Sequence, residues 1–143
     1  MPAYPTFSTR VIGQAEKTLN AILGRELAGT GLTEPQWVIL TLAVTGGGAA
    51  DRDRFTSMVA DALKISEAEA KARVADMVTA QQLNITGSAV TVTGTAQQLH
   101  SRIRAAIAEI TQRLWGDLPA EDLATAGRVL AIITERANVE LAR

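Results

Sequence analysis

The chain contains 143 residues, with 14 Lys and Arg against 15 Asp and Glu, which gives a formal net charge of −1. Hydrophobic residues make up 47% and charged residues 20%, a balance that excludes a disordered or low-complexity chain and fits one compact domain or a small domain with dimerisation helices. Because the chain has no cysteine and one histidine, the composition excludes disulfides, cysteine-based zinc or iron–sulfur sites and histidine-rich metal sites.

Two helices are predicted before a glycine-rich connector. Apolar residues recur at helical spacing over about Phe7–Leu27, which indicates the first helix. The second begins after Thr33, which forms a Thr-x-x-Gln capping box with Gln36, and reads to about Ala43. The connector Gly46–Gly48 is not followed by Gly-Lys-Ser or Gly-Lys-Thr, so it is not a phosphate-binding loop.

The next two helices are joined tightly. One covers about Arg52–Leu63, and the other begins at Ser66, which forms a second capping box with Glu69, and runs to about Gln82. Only two residues separate them, which is the short connection typical of a helix-turn-helix.

The periodicity then changes from helical to alternating. The β-rich runs Leu83–Thr86 and Val90–Thr93 flank Gly87-Ser88-Ala89, which predicts a hairpin. No Asp, Glu, Lys or Arg occurs from Met77 to Ser101, so this hairpin is uncharged. A helix-turn-helix followed by a hairpin is a winged helix, and the predicted fold class is therefore mainly α with a small β-hairpin.

Two long helices complete the chain, and their apolar stripes predict a homodimer. The stripe from Leu99 to Leu114 is close to a heptad repeat, and the last helix begins near Glu121 and Asp122. A monomer of this length would leave such stripes exposed, and packing against a second copy would cover them. We predict a winged helix-turn-helix at 32–94 and a dimerisation region at 1–31 and 95–143. The expected interface residues are Ile12, Leu19, Ile107, Ile110, Leu114, Trp115, Leu130 and Leu141.

Three segments resemble the MarR family of winged-helix transcriptional regulators. Leu32–Leu40, with the sequence Leu-Thr-Glu-Pro-Gln-Trp-Val-Ile-Leu, is similar to the second helix of the family. Leu63–Ser66 is similar to the turn into its recognition helix, and Val92–Ala96 to the junction between its wing and the next helix. The resemblance extends over nearly the whole chain. It implies a homodimer that binds pseudo-palindromic double-stranded DNA and is released by a small, often aromatic, effector in the cleft between its lobes.

The expected DNA contacts lie on the helix-turn-helix and the hairpin. The family wing carries an arginine that enters the minor groove, and no residue of this uncharged hairpin matches it. Residues 51–82 hold five Lys and Arg against six Asp and Glu, and five minus six leaves −1, a poor charge for a DNA-binding module. The predicted contacts are Arg52, Arg54, Lys64, Ser66, Ala68, Lys71, Ala72, Arg73, Thr86 and Ser88.

Trp37 and His100 are the candidate effector contacts. Core packing is the more ordinary interpretation of Trp37, and a surface or capping position is the more ordinary interpretation of His100. No Ser-His-Asp arrangement, metal-ligand cluster or isolated pair of carboxylates is present, so the sequence predicts no enzyme, no cofactor and no metal.

Three functions remain open from the sequence. The first is a homodimeric, ligand-responsive DNA-binding repressor, and the second is a winged-helix protein-interaction or sensing module with weak or lost DNA binding. The third is a small helical protein that binds an apolar metabolite. Met1–Arg10 lacks the basic-then-apolar order of a signal peptide and no apolar run approaches ~18 residues, so we expect a cytoplasmic protein with no membrane partner.

Overall fold

The computed structural model describes residues 3–46 and 50–143, so Gly47 and Gly48 of the predicted connector lie outside the described residues. The described elements confirm the predicted fold class, a mainly α chain with a hairpin after a helix-turn-helix. In chain order they are α1 (Thr9–Leu27), α2 (Glu34–Thr45), β1 (Ala50–Asp51), α3 (Arg52–Leu63), α4 (Glu67–Thr79), β2 (Leu83–Thr86), β3 (Ala89–Val92), α5 (Gly94–Trp115) and α6 (Ala120–Leu141).

Side-chain caps set the starts of the first two helices. The Ser8 hydroxyl accepts a hydrogen bond from the backbone N–H of Val11, so α1 begins two residues later than predicted. The Thr33–Gln36 capping box forms in both directions, at 3.3 Å and 2.9 Å. The predicted end of α2 at Ala43 was too early, because α2 continues to Thr45.

The helix-turn-helix is also defined by local hydrogen bonds. The Asp51 carboxylate accepts from the backbone N–H groups of Asp53 and Arg54 and caps α3. Lys64 takes a left-handed conformation, with φ of 57°, between the two helices. The Ser66 hydroxyl then accepts from the Glu69 N–H at 3.1 Å and caps α4.

The predicted end of α4 near Gln82 was wrong, because α4 ends at Thr79. Gln81 turns the chain with a left-handed φ of 60°. The Gln82 N–H then bonds back to the carbonyl of Met77 at 3.0 Å, which closes the helix.

The hairpin belongs to a three-stranded antiparallel sheet with the order β1-β3-β2. Leu83 pairs with Val92 and Thr86 with Ala89, so β3 lies one residue earlier than the predicted Val90–Thr93. Gly87 occupies the turn with φ of 64°, a value that favours glycine. The short strand β1 was not predicted. It pairs with β3 and joins the start of α3 to the hairpin.

The core lies between the helix-turn-helix, α2 and the hairpin. Phe55, Ile39, Leu40, Met77 and Leu83 are among its fully buried side chains. The inward side of α4 is formed by Ala70, Val74 and Met77, all of which are buried. This packing orients the opposite side of α4 away from the core.

The chain divides into two compact units, residues 1–107 and residues 108–143. In the first, Ala96 and Ile103 of α5 join the core described above. In the second, α6 has no buried residue along its whole length. The predicted dimerisation region spans both units and stays a prediction. Within residues 3–46 and 50–143, no helix is long and apolar enough to cross a membrane.

Candidate nucleic-acid interface

The outer surface of α4 is exposed and consists mostly of small side chains. Ala68, Ala72 and Thr79 lie opposite the buried side of this helix, and all three are exposed. Lys71 and Arg73 flank this surface and are exposed as well. Alanine and threonine present methyl groups, which in a DNA major groove can contact the methyl of thymine, whereas the two cations can reach phosphates.

A groove of about 280 Å³ separates the first turns of α3 and α4. It brings together three of the predicted DNA contacts, Arg52, Ala68 and Lys71. The carboxylates of Asp53 and Glu67 line the same groove. The groove therefore holds two positive and two negative side chains, which matches the near-neutral charge expected from the sequence.

The remaining predicted cations lie outside this groove. Arg54 lines a separate cleft of about 310 Å³ with Phe55, Met58 and Val90. The ammonium of Lys64 lies 3.3 Å from the Asp61 carboxylate, an exposed ion pair at the turn between the helices. Exposed pairs of this kind contribute little to stability, and Asp61 offsets the local positive charge of Lys64.

The hairpin tip is held against the start of the helix-turn-helix. Thr86 and Ser88 are both exposed there. The carbonyl of Ser88 accepts a hydrogen bond from the backbone N–H of Arg52 at 2.7 Å. The position of the hairpin is thus coupled directly to the first residue of α3.

His100 is buried, so its interpretation as a surface or capping residue was wrong. It is 2% exposed, and its ring stacks on Trp37 with a centroid distance of 4.7 Å and an interplanar angle of 17°. Its Nε2 lies 3.2 Å from the hydroxyl oxygen of Thr41. The structure therefore brings the two candidate effector residues into direct contact, and Trp37 also packs against the core.

Burial lowers the pKa of His100, and the positive charge of Arg104 lowers it further. The imidazole is therefore neutral at pH 7. A sequence signal for this position exists, since Ala96, His100, Ile103 and Ile107 recur at four, three and four residues. That spacing places His100 on the buried side of α5.

The predicted interface residues differ in exposure. Ile107 packs against the core of the first unit and Ile110 is buried, so both are covered within one chain. Ile12 is half-buried. The exposed members of the predicted set are Leu19, Leu114, Trp115, Leu130 and Leu141.

These features define a class of protein, a winged helix-turn-helix extended by helices at both ends. The sequence matches no protein-family model, and no curated protein matches it. Among the described residues, no group of three or more His, Cys, Asp or Glu side chains could hold a metal ion.

Solved structures of MarR-type regulators are similar over nearly the whole chain. A MarR protein from Peptoclostridium difficile has a TM-score of 0.74 at 13% identity and covers 98% of this chain and 97% of its own. NadR in complex with 4-hydroxyphenylacetate has a TM-score of 0.71 at 19% identity, with 94% and 98% covered. BpsR of Bordetella bronchiseptica, whose DNA binding is regulated by 6-hydroxynicotinic acid, has a TM-score of 0.69 at 19% identity, with 94% and 98% covered. The chain therefore has the MarR-type winged-helix fold.

Proposed function

We propose that this protein is a homodimeric transcriptional regulator that binds pseudo-palindromic duplex DNA through α4, and that it is not an enzyme. The observation that supports this most is the exposed outer surface of α4 beside the groove that contains Arg52 and Lys71. The core packs only the opposite side of α4, so the outer surface is available to a major groove.

Homodimerisation is supported by the position of the exposed apolar side chains. Among the described residues, the large hydrophobic side chains that are exposed lie either at Leu19 and before it or at Leu114 and after it. The winged helix between them buries its own apolar residues. A second copy is the partner that would cover the terminal helices and would also place two α4 helices for a two-fold symmetric site.

A small aromatic effector is supported by the chemistry of two similar proteins. NadR binds 4-hydroxyphenylacetate and BpsR responds to 6-hydroxynicotinic acid, both of which are hydroxylated aromatic acids. In this chain, Trp37 offers a partly exposed indole for stacking, whereas the ring of His100 is already covered. Trp37 is therefore the more accessible of the two proposed contacts.

A second candidate function is a winged-helix interaction or sensing module with weak or lost DNA binding. It is favoured by the charge of the DNA-facing residues, which include Asp53 and Glu67 in the groove and no cation on the hairpin. Phosphate contacts by Lys and Arg supply most non-specific affinity for DNA, so this surface would bind DNA weakly unless base contacts compensate.

Selection from a random duplex library followed by fluorescence anisotropy separates the two candidates. The wild-type chain is compared with Lys71→Ala and Arg73→Ala, and the matched control is Arg128→Ala, since Arg128 is an exposed arginine on α6. We expect the selection to yield an inverted repeat. We also expect Lys71→Ala or Arg73→Ala to reduce the slope of log Kobs against log salt concentration by about 1 per protomer. The control should bind like the wild type.

Absence of any enrichment or binding at low salt, where phosphate contacts are strongest, would reject the DNA-binding function and favour the interaction module. Equal losses of DNA affinity in Arg128→Ala and Lys71→Ala would show that α4 is not the helix that contacts the DNA. A fluorescence change of Trp37 on addition of 4-hydroxyphenylacetate, with bound DNA released, would support the effector.

A further inference from the structure

We propose that this protein senses protons through His100, so that protonation of the buried ring loosens the contact between α5 and α2 and weakens DNA binding. The contact between α2 and α5 lies within residues 1–107. The effect of its opening on DNA binding rests on the proposed function. The proton is here a regulatory ligand in addition to any small-molecule effector.

The ring of His100 joins two helices at one point. His100 belongs to α5, whereas Trp37 and Thr41 belong to α2, and one turn separates the two α2 residues. The ring is covered by the stack on Trp37, and its Nε2 is within hydrogen-bonding distance of the Thr41 hydroxyl. The remaining exposure is 2%, so a charge on this ring would have almost no water around it.

Protonation therefore favours any state in which the ring reaches water. The Thr41 hydroxyl can donate to a neutral nitrogen or accept from a protonated one, so the hydrogen bond itself does not prevent protonation. A cation stacked on an indole gains some attraction. Burial of the charge opposes protonation, and this desolvation is the main cause that lowers the pKa of His100.

The charged groups around the contact do not compensate for a proton on His100. On α5, Arg104 is one turn away and its positive charge opposes protonation. On α2, Glu34 is the one charged residue and is exposed in the first turn. The hairpin carries no charge, and α1, which packs on α2, ends with the Arg25–Glu26 pair.

The contact lies close to the proposed DNA-binding elements. α5 follows directly after β3, with Thr93 as the single residue between them, and the Thr93 hydroxyl accepts from the N–H of Ala96. α2 packs against α3 and β3. A movement of α5 away from α2 would therefore disturb the hairpin and α3 together.

The direct test is a pH titration of Trp37 emission in a Trp115→Phe background, where Trp37 is the remaining tryptophan. Opening of the contact removes the imidazole from the indole, so we expect a change in Trp37 emission with a midpoint below about 6.5. His100→Gln and His100→Phe should both lose it, and either variant suffices if the other fails to fold. Arg104→Gln should move the midpoint upward, whereas Arg102→Gln, an exposed arginine on the same helix, should move it less.

The functional test uses the duplex selected at pH 7.5, with anisotropy measured between pH 7.5 and 5.5. An exposed imidazole favours the opened form by up to about tenfold per pH unit below 6.5, so we expect DNA binding at pH 5.5 to be weaker than that of His100→Gln, by at most about tenfold. Amide hydrogen exchange of α5 residues 96–103 should accelerate at pH 5.5, after correction for the intrinsic pH dependence of exchange, in the wild type and not in His100→Gln.

Equal pH dependence of DNA affinity in the wild type and in His100→Gln would overturn the proposal. So would the absence of a His100-dependent transition in Trp37 emission. If no duplex is bound at any pH, the proposed function fails, and Trp37 emission and α5 exchange still decide whether protonation opens the α2–α5 contact.

Discussion

His100 couples folding to pH because its imidazole is neutral and buried in the folded chain and free to titrate in the unfolded one. The pKa of His100 is lowered in the folded state by burial and by Arg104. The unfolded state therefore binds more protons than the folded state at pH values below about 6.5. The stabilising effect of the neutral ring is complete above this value and is lost as the pH falls toward the lowered pKa.

We predict that the free energy of unfolding of the wild type decreases on acidification by at most about 1.4 kcal/mol per pH unit relative to His100→Gln. Urea denaturation of both chains between pH 8 and pH 5 measures this difference. The subtraction removes the carboxylates, which titrate in both chains. A difference that stays constant from pH 8 to pH 5 would mean that His100 is not buried in the folded state.

At the scale of single elements, the charge at the start of α4 opposes its proposed role. Glu67 and Glu69 lie in the first turn, where negative charge interacts favourably with the helix dipole. Glu67 also lines the groove beside Lys71. The same carboxylate thus stabilises the helix and repels phosphate, and the two effects can be separated by substitution.

We predict that Glu67→Gln strengthens DNA binding by about 1 kcal/mol, or roughly fivefold, if its carboxylate lies about 4 Å from a phosphate in water. Helix stability should fall slightly, by about 0.3–1 kcal/mol. Glu121→Gln is the matched control, since Glu121 is an exposed acid in the first turn of α6. It should lower stability to a similar extent and leave the affinity measured by anisotropy unchanged.

Elements with local signals could be predicted from the sequence. The capping residues Thr33 and Ser66 placed the starts of α2 and α4, and the approximate bounds predicted for α3 agree with the observed ones. The hairpin followed from Gly87, which takes the positive φ that its turn requires. These features depend on residues within a few positions of each other, which is why the pattern alone is informative.

Features set by distant contacts could not be predicted. Strand β1 has two residues and exists because it pairs with β3, about forty positions later. Lys64 takes a left-handed conformation where glycine is the usual signal. The burial of His100 depends on Trp37 of α2, and Thr41 provides a polar partner that no local pattern around His100 indicates.

At the scale of the whole molecule, charge substitutions can distinguish apolar side chains that stabilise the fold from those that are proposed to form the dimer. Leu130 is 46% exposed, whereas Ile107 already packs in the core. A charge at Ile107 would therefore damage the fold itself. A charge at Leu130 tests the proposed dimer with less effect on the single chain.

We predict that Leu130→Glu converts a dimer into a folded monomer, measured by sedimentation equilibrium together with circular dichroism. Thr125→Glu is the matched control, because Thr125 is exposed on the opposite side of α6 and receives the same charge. A Leu130→Glu chain that remains dimeric would place the interface elsewhere. A control that also dissociates would indicate a general effect of negative charge on α6.

The salt dependence of DNA binding tests whether the uncharged hairpin lies against the duplex. Ser88 is exposed at the hairpin tip, and its own bond to Arg52 uses the backbone carbonyl, so a new side chain leaves that bond intact. We predict that Ser88→Arg tightens binding and steepens the slope of log Kobs against log salt by about 0.9 per protomer, or roughly 1.8 for a dimer. Ala124→Arg on α6, also an exposed position, adds the same charge outside the predicted DNA contacts and should change the slope less. An equal effect of both substitutions would mean that net charge alone determines the slope, and that the hairpin does not approach the DNA backbone.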